Sequence, residues 1–229
     1  MEFFVIIPAS GNGVRFSKKT PKQFVKTRGI EILALTISRF NKRSDISAIV
    51  ISTQPKYFSR VQRIISKYKF NKVKYIVEGG ITRQDSVFNG LMTLKNFADC
   101  APSDRILIHD AVRPFVQDSF LLRLITAARK YNCVIPGIKL TDTVKSSANM
   151  TDGNNIVLKT IPRENLWSVQ TPQIFRCDEL INSFKRAFKK NFTGTDEAAL
   201  LEHAGYPVNI IEGDPANIKI TNKHDLLKK

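Results

Sequence analysis

The residues with the most chemical potential stand in one loop, Pro8-Ala-Ser-Gly-Asn-Gly-Val-Arg15-Phe-Ser-Lys-Lys-Thr-Pro-Lys22-Gln-Phe24, directly after the apolar run Phe3–Pro8. Small side chains at Ala9, Ser10, Gly11 and Gly13 let a phosphate approach the backbone, whose N–H groups can then turn toward it. Arg15 and Lys22 would add two positive charges to that cradle. Two familiar phosphate loops do not fit. A dinucleotide-binding GxGxxG needs glycine or alanine where Phe16 stands, and a P-loop needs GxxxxGK followed by Ser or Thr, which Gly11–Phe16 does not supply. GxGxR followed by Pro-Lys remains: a small-residue loop for a triphosphate, with an arginine and a lysine to hold its charge. A surface turn with stray basic residues is the bland alternative, and the length of the matching string weighs against it.

Two further strings carry groups with a physical reading of their own. Glu78-Gly79-Gly80 places glycines where a base could come close to the backbone, and Ser86 stands in the first turn of the following helix. A hydroxyl there can meet a base edge, although taken alone it more often bonds only its own helix. In His109-Asp110-Ala-Val-Arg113-Pro114, a carboxylate and a guanidinium three residues apart could bind a hydroxyl and a phosphate of one ligand. His109 reads as packing or support, because phosphoryl transfer needs charge stabilisation more than proton transfer. Asp196-Glu197 reads as a helix opening. No residue is assigned to a metal. Trp167 is expected to pack, and His203 and His224 to lie at the surface.

These groups need elements to hold them. Runs at Phe3–Pro8, Ile46–Ser52, Val73–Val77, Arg105–His109 and Cys133–Ile138 have the length and composition of buried strands. Between them, Phe58, Val61, Ile64 and Tyr68 share one helical face, with Arg60, Arg63 and Lys67 off it. Thr82–Asp85 resembles a capping box ahead of Val87, Leu91 and Leu94, and Leu121, Leu124, Ile125 and Ala128 repeat the helical spacing. The alternation predicts an α/β fold: a Rossmann-like, mostly parallel sheet with helices on both faces. Ligands of such a sheet bind beyond the carboxyl ends of its strands, where the loop and both strings fall. The alternation breaks after Lys139. A polar, turn-rich stretch with a β-like piece, Ile156–Ile161, predicts a β-hairpin arm at about 141–162. Helices at Asp178–Lys190 and Asp196–Ala204 and a strand at Pro207–Glu212 follow. No repeat or linker interrupts residues 1–229, which read as a single domain with an arm.

With these strings placed, the chain resembles the polyol-phosphate cytidylyltransferases, above all those acting on 2-C-methyl-D-erythritol 4-phosphate in non-mevalonate isoprenoid synthesis. The resemblance rests on the first loop and, in the same order, on Glu78–Val87, His109–Pro114, Thr141–Thr143, Arg163–Gln173, Gly194–Ala198 and Glu212–Thr221. It implies a homodimer whose arm crosses to the partner subunit, with CTP and a polyol phosphate as partners. It also implies Mg2+ or another divalent cation held largely by the nucleotide. By this resemblance Arg15, Lys22, Arg163 and Lys219 are the catalytic residues. Pro8, Ala9, Ser10, Gly11, Gly13, Gly80, Ile81, Arg83 and Ser86 face the nucleotide, and Asp110, Arg113, Thr143 and Thr171 the acceptor. Three positions depart from the usual pattern: Ser10, where Ala or Gly is common; Ser17, where Gly is frequent; and Ile81, where a polar residue is frequent. Ribitol 5-phosphate cytidylyltransferases share the His109–Pro114 and Gln170–Gln173 strings, whereas Gly194–Ala198 and Glu212–Lys219 favour the methylerythritol branch.

Composition bounds the rest. The 229 residues include 36 Lys+Arg against 20 Asp+Glu, a formal net charge of +16, with 42% hydrophobic and 24% charged residues. That excludes wholesale disorder. No run of eighteen apolar residues suggests a membrane span, and the N-terminal residues lack the basic and cleavage regions of a secretory signal. Cys100, Cys133 and Cys177 are widely spaced and form no CxxC, as expected of free thiols in a reducing cytoplasm. The charge calls for a polyanion and admits a basic nucleic-acid-binding protein as a reading from another class. Scattered aromatics and the lack of an RRM, KH or helix-turn-helix string argue against nucleic acid.

Overall fold

The structure, a computed structural model, describes residues 1–11, 20–149 and 153–226. The expectations placed on Gly13, Arg15 and Ser17 lie outside the described residues. The chain runs β1 (Phe3–Pro8), β2 (Lys26–Thr27), β3 (Ile30–Glu31), α1 (Ile32–Asn41), β4 (Ile46–Thr53), α2 (Phe58–Tyr68), β5 (Val73–Glu78) and α3 (Arg83–Phe97). It continues with β6 (Arg105–Ile108), α4 (Asp118–Lys130), β7 (Cys133–Lys139), β8 (Val144–Asn149), β9 (Asn155–Ile161), β10 (Trp167–Val169) and β11 (Gln173–Arg176). α5 (Cys177–Lys189), α6 (Glu197–His203) and β12 (Asn209–Glu212) complete it.

β1 lies between β4 and β6 and is parallel to both, and β5 is parallel to β4. The antiparallel β11 joins β6 to β7, and β7 also pairs with β10 and, in parallel, with β12. The order is β10-β7-β11-β6-β1-β4-β5, so the chain winds outward from β1 to β5 and then returns to β6 on the other side. That reversal opens a crevice between the carboxyl ends of β1 and β6, the place where open α/β sheets bind ligands.

Both faces of the sheet are covered, as its strands require. Phe3, Val5 and Ile7 of β1 pack with Leu33, Ile37 and Phe40 of α1 and with Leu121 and Leu124 of α4. Phe4 and Ile6 point the other way, into Leu91 and Leu94 of α3 and Leu180 and Phe184 of α5. This period of two, apolar on both sides, is why the strand reads as an unbroken hydrophobic run.

The expected helices form within a residue or two of their predicted ends, and α3 opens on a complete Thr82–Asp85 capping box. One expectation changes. The strand predicted to reach His109 stops at Ile108, which frees His109 and Asp110 to enter the crevice loop; Asn217–Thr221 is irregular chain. α1, the β2–β3 hairpin, β10 and β11 carry no sequence expectation. The hairpin turns on Arg28 and Gly29, both at positive φ (49° and 80°), the geometry of a tight two-residue turn.

β8 and β9 form a separate two-stranded sheet that shares no ladder with the main one. β9 leaves Ile156, Val157 and Leu158 exposed, at 51%, 57% and 65%. An isolated hairpin of that kind has little core of its own.

Candidate active site

A cavity of about 350 Å³ occupies the crevice. Pro8–Gly11 form one rim, Lys22 and Gln23 enter beside them, and Gly80–Arg83 with Ser86 make the facing wall. Asp110, Ala111, Val112 and Lys219 close the remaining side. A wider depression of about 620 Å³ between α2 and β5 is lined by Phe58, Gln62, Tyr75 and neighbours, with Lys74 as its single charged residue. Its lining brings no set of charges together, so the chemistry belongs to the smaller cavity.

Side chains hold the rim from behind. The Gln23 amide donates to the carbonyls of Ala9 (2.7 Å) and Gly11 (3.1 Å), and the Gln54 amide to that of Ser10 (2.7 Å). Gln23 is 3% exposed and sits in a 3₁₀ turn one residue after Lys22, so the same short turn that braces the loop presents the lysine. Its role has no sequence signal beyond its place in Pro-Lys-Gln-Phe.

The facing wall is built on close approach. A Cβ on Gly79 would lie 1.7 Å from the Ser10 hydroxyl oxygen, and one on Gly80 would lie 2.1 Å from Cβ of Asp85. Neither position can carry a side chain without moving its neighbour. The Ser86 hydroxyl donates to the Thr82 carbonyl at 2.9 Å and accepts the Gly80 N–H at 3.1 Å, with Ser10 Oγ 3.3 Å away. It therefore closes the Gly80–Ser86 loop on itself. Ile81 is fully exposed, so at that position only the backbone is held in the wall.

Asp110 is the one carboxylate among the described residues lining the cavity, and three cations meet it. Lys219 Nζ is 2.9 Å from Oδ2, Arg113 Nε 3.4 Å from the same oxygen, and Arg83 Nε 3.6 Å from Oδ1. Burial pushes the Asp110 carboxyl up, but Arg83, Lys219 and Arg113 outweigh it and hold the group well below the usual carboxylate range. Behind the cavity wall, Nη1 of Arg83 donates to both oxygens of Glu197, at 2.7 and 2.8 Å. Burial lowers the pKa of Arg83, and the Glu197 and Asp110 carboxylates more than reverse that, so it stays charged. Glu197 is itself pushed up by burial, with Arg83 opposing but not overcoming the effect.

His109 is fully buried against Phe40. Its Nε2 lies 3.0 Å from the Arg113 carbonyl and its Nδ1 3.2 Å from the Thr171 hydroxyl. A carbonyl only accepts, so the bonding assigns the proton to Nε2 and makes Nδ1 the acceptor, a satisfied neutral ring. Burial is the main reason its pKa falls to about 4. Its place is support, as expected.

The structure thus gathers Pro8, Ala9, Ser10, Gly11, Lys22, Gly80, Ile81, Arg83, Ser86, Asp110 and Lys219 on one cavity. Others expected there stand apart. Arg113 is buried and donates to the Asn217 carbonyl at 2.8 Å, fixing the segment that carries Lys219. Thr171 is buried, and its hydroxyl accepts the Asp110 N–H at 3.0 Å. Both brace the loop from behind. Thr143 and Arg163 are exposed at the base of the arm, where Arg163 bonds the Thr141 carbonyl. Gln23 and Gln54 carry no sequence expectation, and Glu197 was expected only to help open a helix.

A doubly covered α/β sheet whose switch-point cavity joins a small-residue rim to converging lysines is the framework of a nucleotide-binding transferase. The comparisons with known proteins narrow this. Residues 3–229 match the family model of 2-C-methyl-D-erythritol 4-phosphate cytidylyltransferase (IspD), and the chain belongs to that family of nucleotidyltransferases. It is 39% identical over 231 residues to the 2-C-methyl-D-erythritol 4-phosphate cytidylyltransferase of Acidobacterium capsulatum, covering 99% of this chain and 95% of that one. The enzyme of the same name from Geobacillus kaustophilus is 37% identical over 227 residues, with the same coverage. The crystal structure of the Francisella tularensis enzyme superposes with a TM-score of 0.82 at 30% identity, over 99% of this chain and 97% of that chain.

Proposed function

We propose that the cavity binds CTP and 2-C-methyl-D-erythritol 4-phosphate together and transfers CMP from the first to the second. An oxygen of the acceptor's phosphate attacks the α-phosphorus of CTP. The bond from that phosphorus to the oxygen bridging to the β-phosphate breaks, and pyrophosphate leaves. The product is 4-diphosphocytidyl-2-C-methyl-D-erythritol. The nucleophile is already an anion, so no general base is required; the difficulty is bringing two anions together and stabilising a crowded transition state.

One observation carries this reading: Lys22 and Lys219 line the same cavity as the small-residue rim Pro8–Gly11 and the Gly80–Ser86 wall. Lys22, with Arg15, serves the triphosphate. Lys219 serves the reacting α-phosphate and the incoming acceptor, and Asp110 takes an acceptor hydroxyl. The closely packed Gly79 and Gly80 support a base laid against backbone. Thr143 and Arg163, on the arm, serve the acceptor's phosphate in a second subunit of a homodimer, for which an arginine fork is suited. The exposed Ile156–Leu158 stretch of β9 supports an arm that is covered by another copy.

A Mg2+ ion would fit here chiefly through the triphosphate. Mg2+ keeps several waters and takes one or two carboxylates alongside substrate phosphates. Asp110, the one carboxylate lining the cavity among the described residues, is already paired with Lys219, Arg113 and Arg83. The described residues hold no cluster of three or more metal-binding side chains, so the ion would be held largely by the triphosphate. When bound, the ion neutralises triphosphate charge and draws electrons from the α-phosphorus. The three free cysteines support a cytoplasmic location, and no helix among the described residues is long and apolar enough to cross a membrane.

The decisive experiment is pyrophosphate release from CTP with 2-C-methyl-D-erythritol 4-phosphate and, separately, with ribitol 5-phosphate. Release with the first acceptor alone is expected. Release with the second alone would shift the assignment, and release with neither would sink it.

A further inference from the structure

The sequence gives Asp196 and Glu197 one task, opening α6, and the structure separates them. Asp196 does cap: its carboxylate accepts the Ala199 N–H at 3.0 Å and the Gln173 amide at 2.7 Å. Glu197 turns inward, is 1% exposed, and takes two bonds from Nη1 of Arg83 across 114 residues of chain. Opening a helix does not require a carboxylate to be buried, and burial is costly unless the charge is paired. The pairing has a consequence toward the cavity. Arg83 lies between two carboxylates, chelated by Glu197 and only 3.6 Å from Asp110, and Asp110 in turn holds Lys219 at 2.9 Å. Charges alternate along that line: Glu197, Arg83, Asp110, Lys219.

We infer that Glu197 is a positioning residue for the acceptor side of the cavity: it draws the Arg83 guanidinium back so that the Asp110 carboxylate stays open to Lys219 and to an acceptor hydroxyl. Without Glu197, the fork of Arg83 has one carboxylate left and closes on Asp110, displacing both. Asp196 and Gln173 support this by fixing the backbone from which Glu197 reaches inward. The inference rests on the cytidylyl-transfer reading for the identity of the acceptor, and on ion-pair geometry for the rest.

The test is a double-mutant cycle in the full-length protein. Glu197→Gln is expected to raise the KM for 2-C-methyl-D-erythritol 4-phosphate roughly tenfold. Its kcat and the calorimetric Kd for CTP are expected to stay within about twofold of the parent values. If Glu197 acts through Arg83, adding Glu197→Gln to Arg83→Gln leaves the acceptor KM within about twofold of the Arg83→Gln value. A folded Glu197→Gln protein with native acceptor KM overturns the inference, as does a CTP Kd that rises in step with that KM. So does a double variant whose loss is the product of the single losses. If Glu197→Gln alone does not fold, because it leaves a half-buried guanidinium short of a partner, the Arg83→Gln protein with and without Glu197→Gln decides on the same criterion. The parent protein is assayed first. Absence of turnover there counts against the proposed function, and the cycle is then read as the calorimetric Kd of 2-C-methyl-D-erythritol 4-phosphate, with the same tenfold expectation.

Discussion

At the scale of single residues, the site divides into groups that line the cavity and groups that hold them. Lys22 and Lys219 belong to the first kind. Lys22→Ala should lower kcat roughly a hundredfold or more while the CTP Kd changes less than about tenfold, because a charge aimed at the transition state contributes mainly there. Single-turnover kinetics beside calorimetry separates the two quantities. His109 belongs to the second kind and makes a pH prediction. An unfolded histidine titrates near 6.5, whereas the buried ring titrates near 4, so between those values only the unfolded state gains the proton. Stability is therefore full above pH 6.5 and falls as the pH drops toward 4, by about 3 kcal/mol over the whole window. Urea midpoints at pH 7 and 4.5 should show the drop, and His109→Gln should flatten it. The cavity-lining groups were legible in the sequence because they stand in contiguous strings, although Arg113 and Thr171, expected beside them, lie behind the cavity. Apart from His109, the holders were not. Gln23 acts on carbonyls it does not neighbour in sequence, and Glu197 meets a partner that only the folded sheet brings near.

At the scale of elements, α3 joins fold and site, since its first turn is also the cavity wall. Its capping box binds the Asp85 N–H to the Thr82 hydroxyl at 3.1 Å and the Thr82 N–H to the Asp85 carboxylate at 3.0 Å. Thr82→Ala should cost about 1 kcal/mol of stability. It should also raise the KM for CTP severalfold, since Gly80 and Ser86 shift with that turn; denaturant titration and initial rates would check both effects. The capping box was legible because it is local, as were β1, β4 and β6, whose apolar runs have no competing pattern. β10 and β11 were not, because they are short antiparallel insertions inside the Arg163–Gln173 region and its continuation, where motif residues mask any alternation. Ile218 and Ile220 flank Lys219 with the alternation of a strand. Ile220 is buried, but its N–H bonds the Val112 carbonyl outside any ladder, which leaves the segment irregular.

At the scale of the whole molecule, the net charge of +16 is only partly accounted for by the cavity. There, Asp110 and Glu197 offset part of the charge of Arg83, Arg113 and Lys219. The surplus lies elsewhere on the chain and acts as a diffuse field on anionic substrates. kcat/KM for CTP should therefore fall as NaCl is raised from about 0.05 to 0.5 M, over which the screening length shrinks severalfold. A flat profile would show that the surplus charge does not steer. The arm makes a second prediction at this scale. Leu158 is exposed on β9; if the arm joins two copies as proposed, Leu158→Glu should leave the circular dichroism of the fold intact while shifting sedimentation toward monomer. Unchanged sedimentation would count against the arm as the interface.

The contact between position 79 and Ser10 has a consequence for inheritance and for engineering. With 1.7 Å between a Cβ at 79 and the Ser10 oxygen, the two positions share the room for one small side chain. A lineage can place its hydroxyl on the first loop or a methyl on the opposite wall, but not both without rebuilding the gap. The two segments are therefore a matched pair, and transplanting the phosphate loop into another sheet requires carrying residues 79–86 with it.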